Sequence, residues 1–272
     1  MASALQYRRA LLTGVSTGLG RAFARMLLAE GVEVWGTARS LERAAAVEGV
    51  RPLVLDLHDR ESVAAAWQAV HSQGGAVDLL INNAGFAGFG RFDEIPAEMW
   101  ESEVAAMLFG TAWLARMAAA AMRARGQGTI VNVTSLVAEF PIPFMSAYNT
   151  AKAGLAALSA TLEAEMSGTG VKVIDFRPGD YRTDFNRSMS ARRPSVFTDE
   201  RCSRVWERIE KQLAAAPSPE RAARDLRRAL RRGRSGVVRS GSFFQARLAP
   251  FLDRLAPVRL SRFCQRLYFD LG

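Results

Sequence analysis

The sequence predicts an α/β protein built on a doubly wound parallel sheet. Short apolar runs of strand length alternate with segments of helical length along the chain, and a glycine-rich turn follows the first run directly. A repeated strand–helix–strand order implies parallel pairing through right-handed crossovers, which places helices on both faces of the sheet.

The individual elements are predicted from apolar spacing and from flanking residues. Segments that are short, apolar and mostly bounded by turn or polar residues are predicted as strands, at 10–13, 33–37, 51–55, 79–82, 129–133, 172–176 and 236–239. Segments of helical length lie between them, at 19–30, 41–47, 60–71, 96–125, 146–166 and 219–232.

Composition favours one domain over residues 1–272, because 272 residues with 49% hydrophobic content can bury one large core. We expect no secretory signal before the first strand, and no uninterrupted apolar run reaches the roughly 18 residues of a membrane span. Cys202 and Cys264 have neither metal-site spacing nor a disulfide framework. This fits a reducing compartment, so a cytoplasmic protein without a metal site is predicted.

The net charge of +9 is concentrated near the end of the chain. Residues 186–272 hold 20 basic and 8 acidic residues, whereas residues 1–185 hold 16 and 19. Such asymmetry suggests nucleic acid or an anionic membrane as a partner. The arginines are spaced along helices as solvated faces and no nucleic-acid-binding motif is present, so we expect no nucleic-acid partner.

Two stretches interrupt the strand–helix alternation. Residues 180–217 follow the sixth predicted strand and include a candidate helix at 199–215; an insertion there lies beside the cleft of such sheets and is predicted to be a substrate lid. Residues 243–272 alternate Phe and Leu with Arg. This amphipathic segment has two open interpretations, as helices folded over the cleft or as an interfacial segment on anionic lipid.

The turn from Thr13 to Gly20 carries a phosphate-binding pattern. Its glycines, Gly14, Gly18 and Gly20, are spaced G-x-x-x-G-x-G between the first strand and the first helix, with Leu19 between the last two. Glycines let backbone N–H groups approach a pyrophosphate, whose charge is stabilised by the helix N-terminus. No Lys follows the turn, which disfavours an ATPase P-loop.

The end of the second predicted strand favours NADP over NAD. A carboxylate at this place would bind the adenosine ribose and repel a 2′-phosphate, but the sequence has Ala38 followed by Arg39. The alternative is that Arg39 is only a surface charge. After the third strand, Asp56 and Leu57 are predicted to hold the adenine, with the Asp56 carboxylate accepting from its exocyclic amine.

Ser135, Tyr148 and Lys152 are the candidate catalytic residues. Tyr148 and Lys152 are spaced i, i+4 on a predicted helix, so the cation is predicted to lower the pKa of the phenol. Ser135 follows the fifth predicted strand. Ser135 would donate to the oxygen of a carbonyl under hydride attack, and Tyr148 would supply its proton.

These motifs resemble, in their order, the short-chain dehydrogenase/reductase family. The resemblance covers about residues 8–185, with a looser match at 236–241, and it rests on the glycine turn, Arg39, Asn82-Asn-Ala-Gly85, Ser135, Tyr148, Lys152 and Pro178-Gly179. It implies a seven-stranded Rossmann fold, reversible hydride transfer between NAD(P) and a carbonyl or alcohol, and a homodimer or homotetramer. Residues 243–272 are predicted to add a helical C-terminal extension.

The resemblance also implies roles for further residues around the cofactor. Thr13 and Ser16 match polar positions of the glycine turn, and Pro178 and Gly179 turn the chain beneath the nicotinamide. Thr183 matches the position that hydrogen-bonds the carboxamide. The adenosine half is bordered by Asn83, Ala84 and Gly85.

The predicted function is an NADP-dependent oxidoreductase acting on a hydrophobic carbonyl or alcohol that resembles a steroid, a retinoid, an acyl chain or an aromatic ketone. Segments expected to line the cleft carry Phe86, Phe89, Phe140, Phe144, Met145, Phe185 and Met189. The alternative is a catalytically idle NADP-binding sensor or peripheral scaffold.

One position departs from the family pattern. Members usually carry an Asn that anchors a proton-relaying water where this chain has Met107, and a thioether cannot make that hydrogen bond. Our hypothesis is that protons exchange by another route or that turnover is slow.

Overall fold

Across residues 5–190, 192–194 and 197–271, the part of the chain that this computed structural model describes, seven parallel strands form one sheet in the order β3-β2-β1-β4-β5-β6-β7. The predicted fold class is therefore confirmed, and each predicted strand is present with its ends shifted by at most two residues. The strands are β1 (Arg9–Thr13), β2 (Glu33–Ala38), β3 (Arg51–Val54), β4 (Leu79–Asn82), β5 (Gly128–Val133), β6 (Val171–Pro178) and β7 (Gly236–Ser240).

Helices cover both faces of this sheet and continue beyond it. They are α1 (Gly18–Ala29), α2 (Leu41–Ala44), α3 (Arg60–Gly74), α4 (Ala97–Val104), α5 (Thr111–Arg125), α6 (Ser146–Glu165), α7 (Phe185–Ser190), α8 (Glu200–Ala215), α9 (Pro219–Arg232), α10 (Ala249–Leu255) and α11 (Val258–Tyr268). A short 3₁₀ turn, Leu136–Ala138, follows β5.

Alternate residues of the central strands supply the two halves of the core. Leu12 faces the side covered by α1 and α9, where the rings of Phe23 and Phe176 meet edge-to-face with centroids 5.8 Å apart. Leu11 and Leu80 face the side covered by α3 and α5. Burial of each side chain of this size contributes about 1.5–3 kcal/mol to the free energy of folding, so both helical layers are firmly attached to the sheet.

The predicted helix 96–125 is divided into α4 and α5 by a π-helical turn at Ala105–Gly110. A Cβ at Gly110 would lie 1.9 Å from the carbonyl oxygen of Leu57, so the helix passes directly against the loop after β3. The whole run Ala97–Arg125 is long and apolar enough, by length and composition, to cross a membrane, and half of its most apolar stretch is buried inside this protein. It packs as a core helix of the α/β fold.

The two irregular stretches are mainly helical. The predicted lid, 180–217, contains α7 and α8, and Asp199 caps α8 by accepting from the N–H of Arg201; residues 191, 195 and 196 lie outside the described residues. After β7, a π-helical turn at Phe244–Leu248 leads into α10 and α11. We call residues 243–271 the roof; residue 272 of the predicted segment lies outside the described part of the chain.

A buried polar network joins the central strands to α6. The Asn82 Nδ2 donates to Asn132 Oδ1 at 2.8 Å, and the Asn132 Nδ2 donates to the Ser159 hydroxyl at 2.9 Å. Buried amides without partners are costly, so this chain of bonds fixes the position of α6 against β5. That helix carries Tyr148 and Lys152.

Candidate active site

A cleft of about 1470 Å³ lies at the carboxyl ends of the strands, where the strand order reverses between β1 and β4. With one exception, the residues predicted for the site line this cleft. They are Gly14, Ser16, Gly18, Leu19, Gly20, Arg39, Asp56, Leu57, Asn83, Ala84, Gly85, Ser135, Tyr148, Lys152, Pro178, Gly179 and Thr183. Residues far apart in sequence therefore share one surface.

The glycine turn forms a cradle that side chains would fill. Gly14 has a φ of +70°, and a Cβ there would lie 2.8 Å from the Cα of Ala84. A Cβ at Gly20 would lie 2.0 Å from the carbonyl oxygen of Gly14. The backbone can be this close only without side chains, and the first N–H groups of α1 have no partner within the helix. The turn fits a dinucleotide pyrophosphate.

Thr13, the exception, lies behind the cleft with its side chain buried. Its hydroxyl accepts from the backbone N–H groups of Asn83 and Ala84, at 2.9 and 3.0 Å. The Asn83 amide donates in turn to the carbonyl oxygens of Thr13 and Gly14. Thr13 thus connects the glycine turn to the end of β4. It supports the turn from behind and does not line the cleft, whereas a direct contact with the cofactor was predicted.

The adenosine end of the cleft has two arginines. Arg39 is exposed at the end of β2, and Arg43, which the sequence analysis missed, lines the same region from α2. Asp56 lies opposite, and its Oδ1 accepts from the backbone N–H and the Nδ1 of His58. Burial raises the pKa of Asp56, but these bonds and the charge of Arg39 outweigh it, so the net pKa is lowered and the group is a carboxylate. The sequence held no signal for Arg43, because Arg39 precedes α2 and helical spacing does not relate the two.

The three catalytic candidates meet at the middle of the cleft. Lys152 donates from Nζ to the carbonyl oxygen of Val133 at 2.8 Å, and this Nζ lies 5.7 Å from the centre of the Tyr148 ring. Ser135 lines the same part of the cleft, and its hydroxyl donates to the carbonyl oxygen of Pro178 at 3.4 Å. Ser135 also caps the 3₁₀ turn after β5 by accepting from the N–H of Val137 at 3.2 Å. The end of β5 therefore positions both partners of the phenol.

The pKa values of the pair differ from the sequence-based prediction. Burial is the main reason that the pKa of Tyr148 is raised to about 12; the charges of Glu103 and Asp180 act in the same direction, and the neighbouring Ser135 hydroxyl acts against them. Burial lowers the pKa of Lys152 to about 8. The net pKa of the phenol is therefore raised and not lowered as predicted, because burial of Tyr148 is the largest cause of the shift.

Met107 and Glu103 lie one turn apart beside this centre. Met107 is buried, and its sulfur would lie 3.4 Å from a Cβ at Gly85. Glu103, which the sequence analysis did not single out, accepts from the N–H of Gly88, while its Oε2 is buried without a partner. Burial raises the pKa of Glu103 to about 7, more than the bond from Gly88 lowers it. Glu98 and Glu101 stand in the same helix, so the sequence held no signal that set Glu103 apart.

The rest of the cleft is predominantly apolar. Seven apolar side chains were predicted to line the cleft, and five of them do so: Phe86, Phe140, Met145, Phe185 and Met189. Phe89 and Phe144 instead pack in the core beneath the lid, where Phe89 contacts Trp206 with ring centroids 5.0 Å apart. The lid and the roof add apolar residues that the sequence analysis did not assign: Ile209, Leu213, Leu252, Leu255 and Leu260.

Comparison with known proteins identifies the family. The short chain dehydrogenase family matches residues 8–194, and the chain belongs to that family. It is 30% identical over 204 residues to the NADPH-dependent 3-dehydrocapnine reductase of Ornithobacterium rhinotracheale, covering 71% of this chain and 72% of the relative. It is 32% identical over 182 residues to the 3-ketodihydrosphingosine reductase of Bacteroides thetaiotaomicron, covering 66% and 67%.

A solved structure agrees over most of the chain. A short-chain dehydrogenase from Streptomyces avermitilis superposes with a TM-score of 0.78 at 30% identity, covering 91% of this chain and 94% of that one. The fold, the oxidoreductase class and the nucleotide-binding cleft follow from family membership. Residues after 194, which include α8 and the roof, lie beyond the matched family region.

Proposed function

We propose that this protein is an NADP-dependent oxidoreductase that transfers a hydride between the nicotinamide and a hydrophobic carbonyl or alcohol. The observation that carries the proposal is the meeting of Ser135, Tyr148 and Lys152 on one wall of a cleft whose other end is the glycine cradle. A catalytic hydroxyl, a phenol and an ammonium beside a dinucleotide site match the needs of carbonyl reduction.

The chemistry assigns one task to each residue. NADPH, when bound, supplies the hydride to the carbonyl carbon. Ser135 donates a hydrogen bond to the oxygen that gains negative charge, and Tyr148 gives that oxygen its proton. With a pKa of about 12, the phenol is protonated at neutral pH and can act as the acid. Lys152 places its cation beside the phenol, where it stabilises the phenolate that remains.

Two observations support NADP as the cofactor. Arg39 and Arg43 both line the adenosine end of the cleft, where guanidinium groups would pair with a 2′-phosphate. The relative from Ornithobacterium is named as NADPH-dependent. Asp56 follows β3, the strand next to β2, and its carboxylate interacts with His58 and Arg39.

The lining of the cleft supports a substrate with a long apolar body. Aromatic and aliphatic side chains come from the lid, from α10 and α11 and from the segment before α6, and a cleft with such walls favours a lipid-like carbonyl over a sugar. The two relatives are named as reductases of 3-dehydrocapnine and 3-ketodihydrosphingosine.

The roof supports peripheral contact with anionic lipid. Phe243, Phe251 and Phe263 are more than half exposed and do not line the cleft. Arg259 and Arg262, which share α11 with Phe263, are exposed as well. Exposed apolar rings with neighbouring cations are the composition of an interfacial surface. A cytoplasmic location is proposed with it, since both cysteines are free thiols.

A homodimer or homotetramer is proposed from the helical layer on one face of the sheet. Half of the most apolar stretch in Ala97–Arg125 is not buried within the chain, and Phe109 is 53% exposed there. An apolar helix face of this kind is suited to a symmetric interface. Mass measurement in solution tests this.

Oxidation of NADPH in the presence of long-chain and aromatic ketones tests the function. Tyr148→Phe should lower kcat by at least about 10³-fold, because the proton donor is lost, while NADPH still binds. Tyr7→Phe is the matched control, because Tyr7 bonds Thr129 at the opposite end of the sheet. Absence of turnover on every ketone, with intact NADPH binding, would favour the alternative of an idle sensor or scaffold.

A further inference from the structure

One charged group interrupts the apolar half of the cleft. Asp180 follows Gly179 directly after β6, lines the cleft and is partly buried. Its Oδ2 accepts a hydrogen bond of 2.5 Å from Nε2 of Gln245, which belongs to the roof. The carboxyl is therefore oriented by a residue 65 positions away in the chain.

The position of Gln245 is built into the backbone around it. A Cβ at Gly179 would lie 2.9 Å from Oε1 of Gln245, and a Cβ at Gly241 would lie 3.4 Å from the same atom. The backbone N–H of Gln245 donates to the hydroxyl of Ser242 at 3.2 Å. Gly179 thus leaves room for this amide, whose nitrogen donates to Asp180.

No ion pair of Asp180 is found among the described residues, although the chain has many arginines. Burial raises the pKa of Asp180, more than the bond from Gln245 lowers it. The negative charge of Asp180 raises the pKa of both Tyr148 and Tyr268. Burial is the larger cause of the raised pKa for each of these phenols. Asp180 also comes two residues after Pro178, whose carbonyl oxygen accepts from Ser135 at 3.4 Å, and the bond from Gln245 connects it to the roof. A buried carboxylate is stable only with a partner.

We propose that Asp180 binds an ammonium group carried next to the reacting carbonyl of a long-chain apolar substrate. This assignment rests on the proposed function and deepens it, since it names an amino ketone, with the corresponding amino alcohol as product, as the substrate class. The apolar tail of such a molecule contacts Leu252, Leu255 and the other aliphatic side chains of the cleft.

A cation fits this position better than a neutral hydroxyl. Gln245 already gives Asp180 one neutral hydrogen bond, and a hydroxyl would add a second without removing the unfavourable charge. An ammonium neutralises the carboxylate and donates to it, and charge-assisted hydrogen bonds are about twice as strong as neutral ones. The place beside Tyr148 also requires the ammonium to be close to the carbonyl that Tyr148 protonates.

The test compares a long-chain α-amino ketone with the same ketone lacking the amine. The wild-type protein should use the amino ketone with a kcat/KM about 10- to 100-fold higher. Asp180→Asn keeps the shape and removes the charge, so the ratio should fall close to one. Effects of the substitution on Tyr148 apply to both substrates and cancel in this ratio. Asp184→Asn, an exposed acid at the same cleft, should keep the preference.

A binding measurement without turnover completes the test. With NADPH present, calorimetry should show a long-chain primary amine binding about 10- to 100-fold more tightly than the corresponding alcohol, and Asp180→Asn should remove the difference. Equal affinities, or a preference unaffected by Asp180→Asn, would overturn the inference even if simple ketones are reduced. Preserved amine binding without turnover of any ketone would contradict the proposed function alone.

Discussion

The floor and the roof of the cleft hold their side chains in different ways. On the floor, Lys152 and Ser135 are buried and bonded to the ends of neighbouring strands. In the roof, Phe243 is 68% exposed and Leu255 is 70% exposed. The floor belongs to the matched family region and the roof lies beyond it. We therefore expect the chemistry to depend on the sheet and the choice of substrate to depend on the C-terminal helices.

The largest effect should come from filling the cradle on the floor. Gly20→Ala would place a Cβ 2.0 Å from the Gly14 carbonyl and 2.6 Å from the Asn83 amide, so the turn must open. We expect NADPH affinity to fall by at least about 100-fold, measured by fluorescence titration with circular dichroism to follow folding. Gly241→Ala is the control, since its Cβ would meet only ordinary contacts near 3.4 Å. Similar affinities for both variants would contradict the assignment of the cradle.

A smaller effect is expected at the adenosine end. Arg39→Ala removes one exposed guanidinium, so the KM for NADPH should rise about 10- to 30-fold, as for loss of a charge-assisted hydrogen bond. The KM for NADH should change little, because NADH has no 2′-phosphate. Steady-state kinetics with both cofactors decides this. An equal change for NADPH and NADH would mean that Arg39 does not recognise the phosphate.

The pH profile tests the pair at the centre of the floor. Lys152 has a pKa lowered to about 8 and loses its charge as pH rises through that value, while Tyr148 stays protonated until about 12. The kcat/KM for ketone reduction should therefore fall about tenfold for each pH unit above 8. In Lys152→Arg the residual activity should lack this decline, since a guanidinium stays charged. A wild-type rate that is flat up to about pH 10 would contradict the role of Lys152.

The smallest effect concerns the outer surface of the roof. Arg262→Ser should weaken binding to vesicles containing anionic lipid about fivefold, the contribution of one cation near a charged membrane. Flotation across a range of vesicle concentrations measures it. Arg8→Ser is the control, because Arg8 is exposed just before β1, at the end of the sheet opposite the cleft. If neither the wild type nor Arg8→Ser floats with anionic vesicles, the roof is not a lipid-binding surface.

Sequence patterns predicted the floor well for a physical reason. The glycine turn, the i, i+4 spacing of Tyr148 and Lys152 and the residues at strand ends are local signals, and parallel strands bring their carboxyl ends together. Patterns could not show that Thr13 lies behind the cleft, because its role depends on bonds to Asn83 across the sheet. Nor could they give the pKa of Tyr148, which depends on burial.

The roof was less predictable because its contacts are long-range. Whether the Phe and Leu side chains of residues 243–271 face the cleft or the solvent depends on how α10 and α11 pack, which apolar spacing alone does not show. The pairing of Asp180 with Gln245 depends on the same packing. Phe89 and Phe144, predicted for the cleft, instead fill the core beneath the lid.

Transfer of deuterium from NADPH labelled at the reactive nicotinamide carbon tests the central claim most directly. After incubation with a long-chain ketone, mass spectrometry should find one deuterium on the carbinol carbon of the product, and Tyr148→Phe should reduce the yield of that product by at least about 10³-fold. An alcohol product without deuterium, or full labelling by Tyr148→Phe at the wild-type rate, would contradict the account.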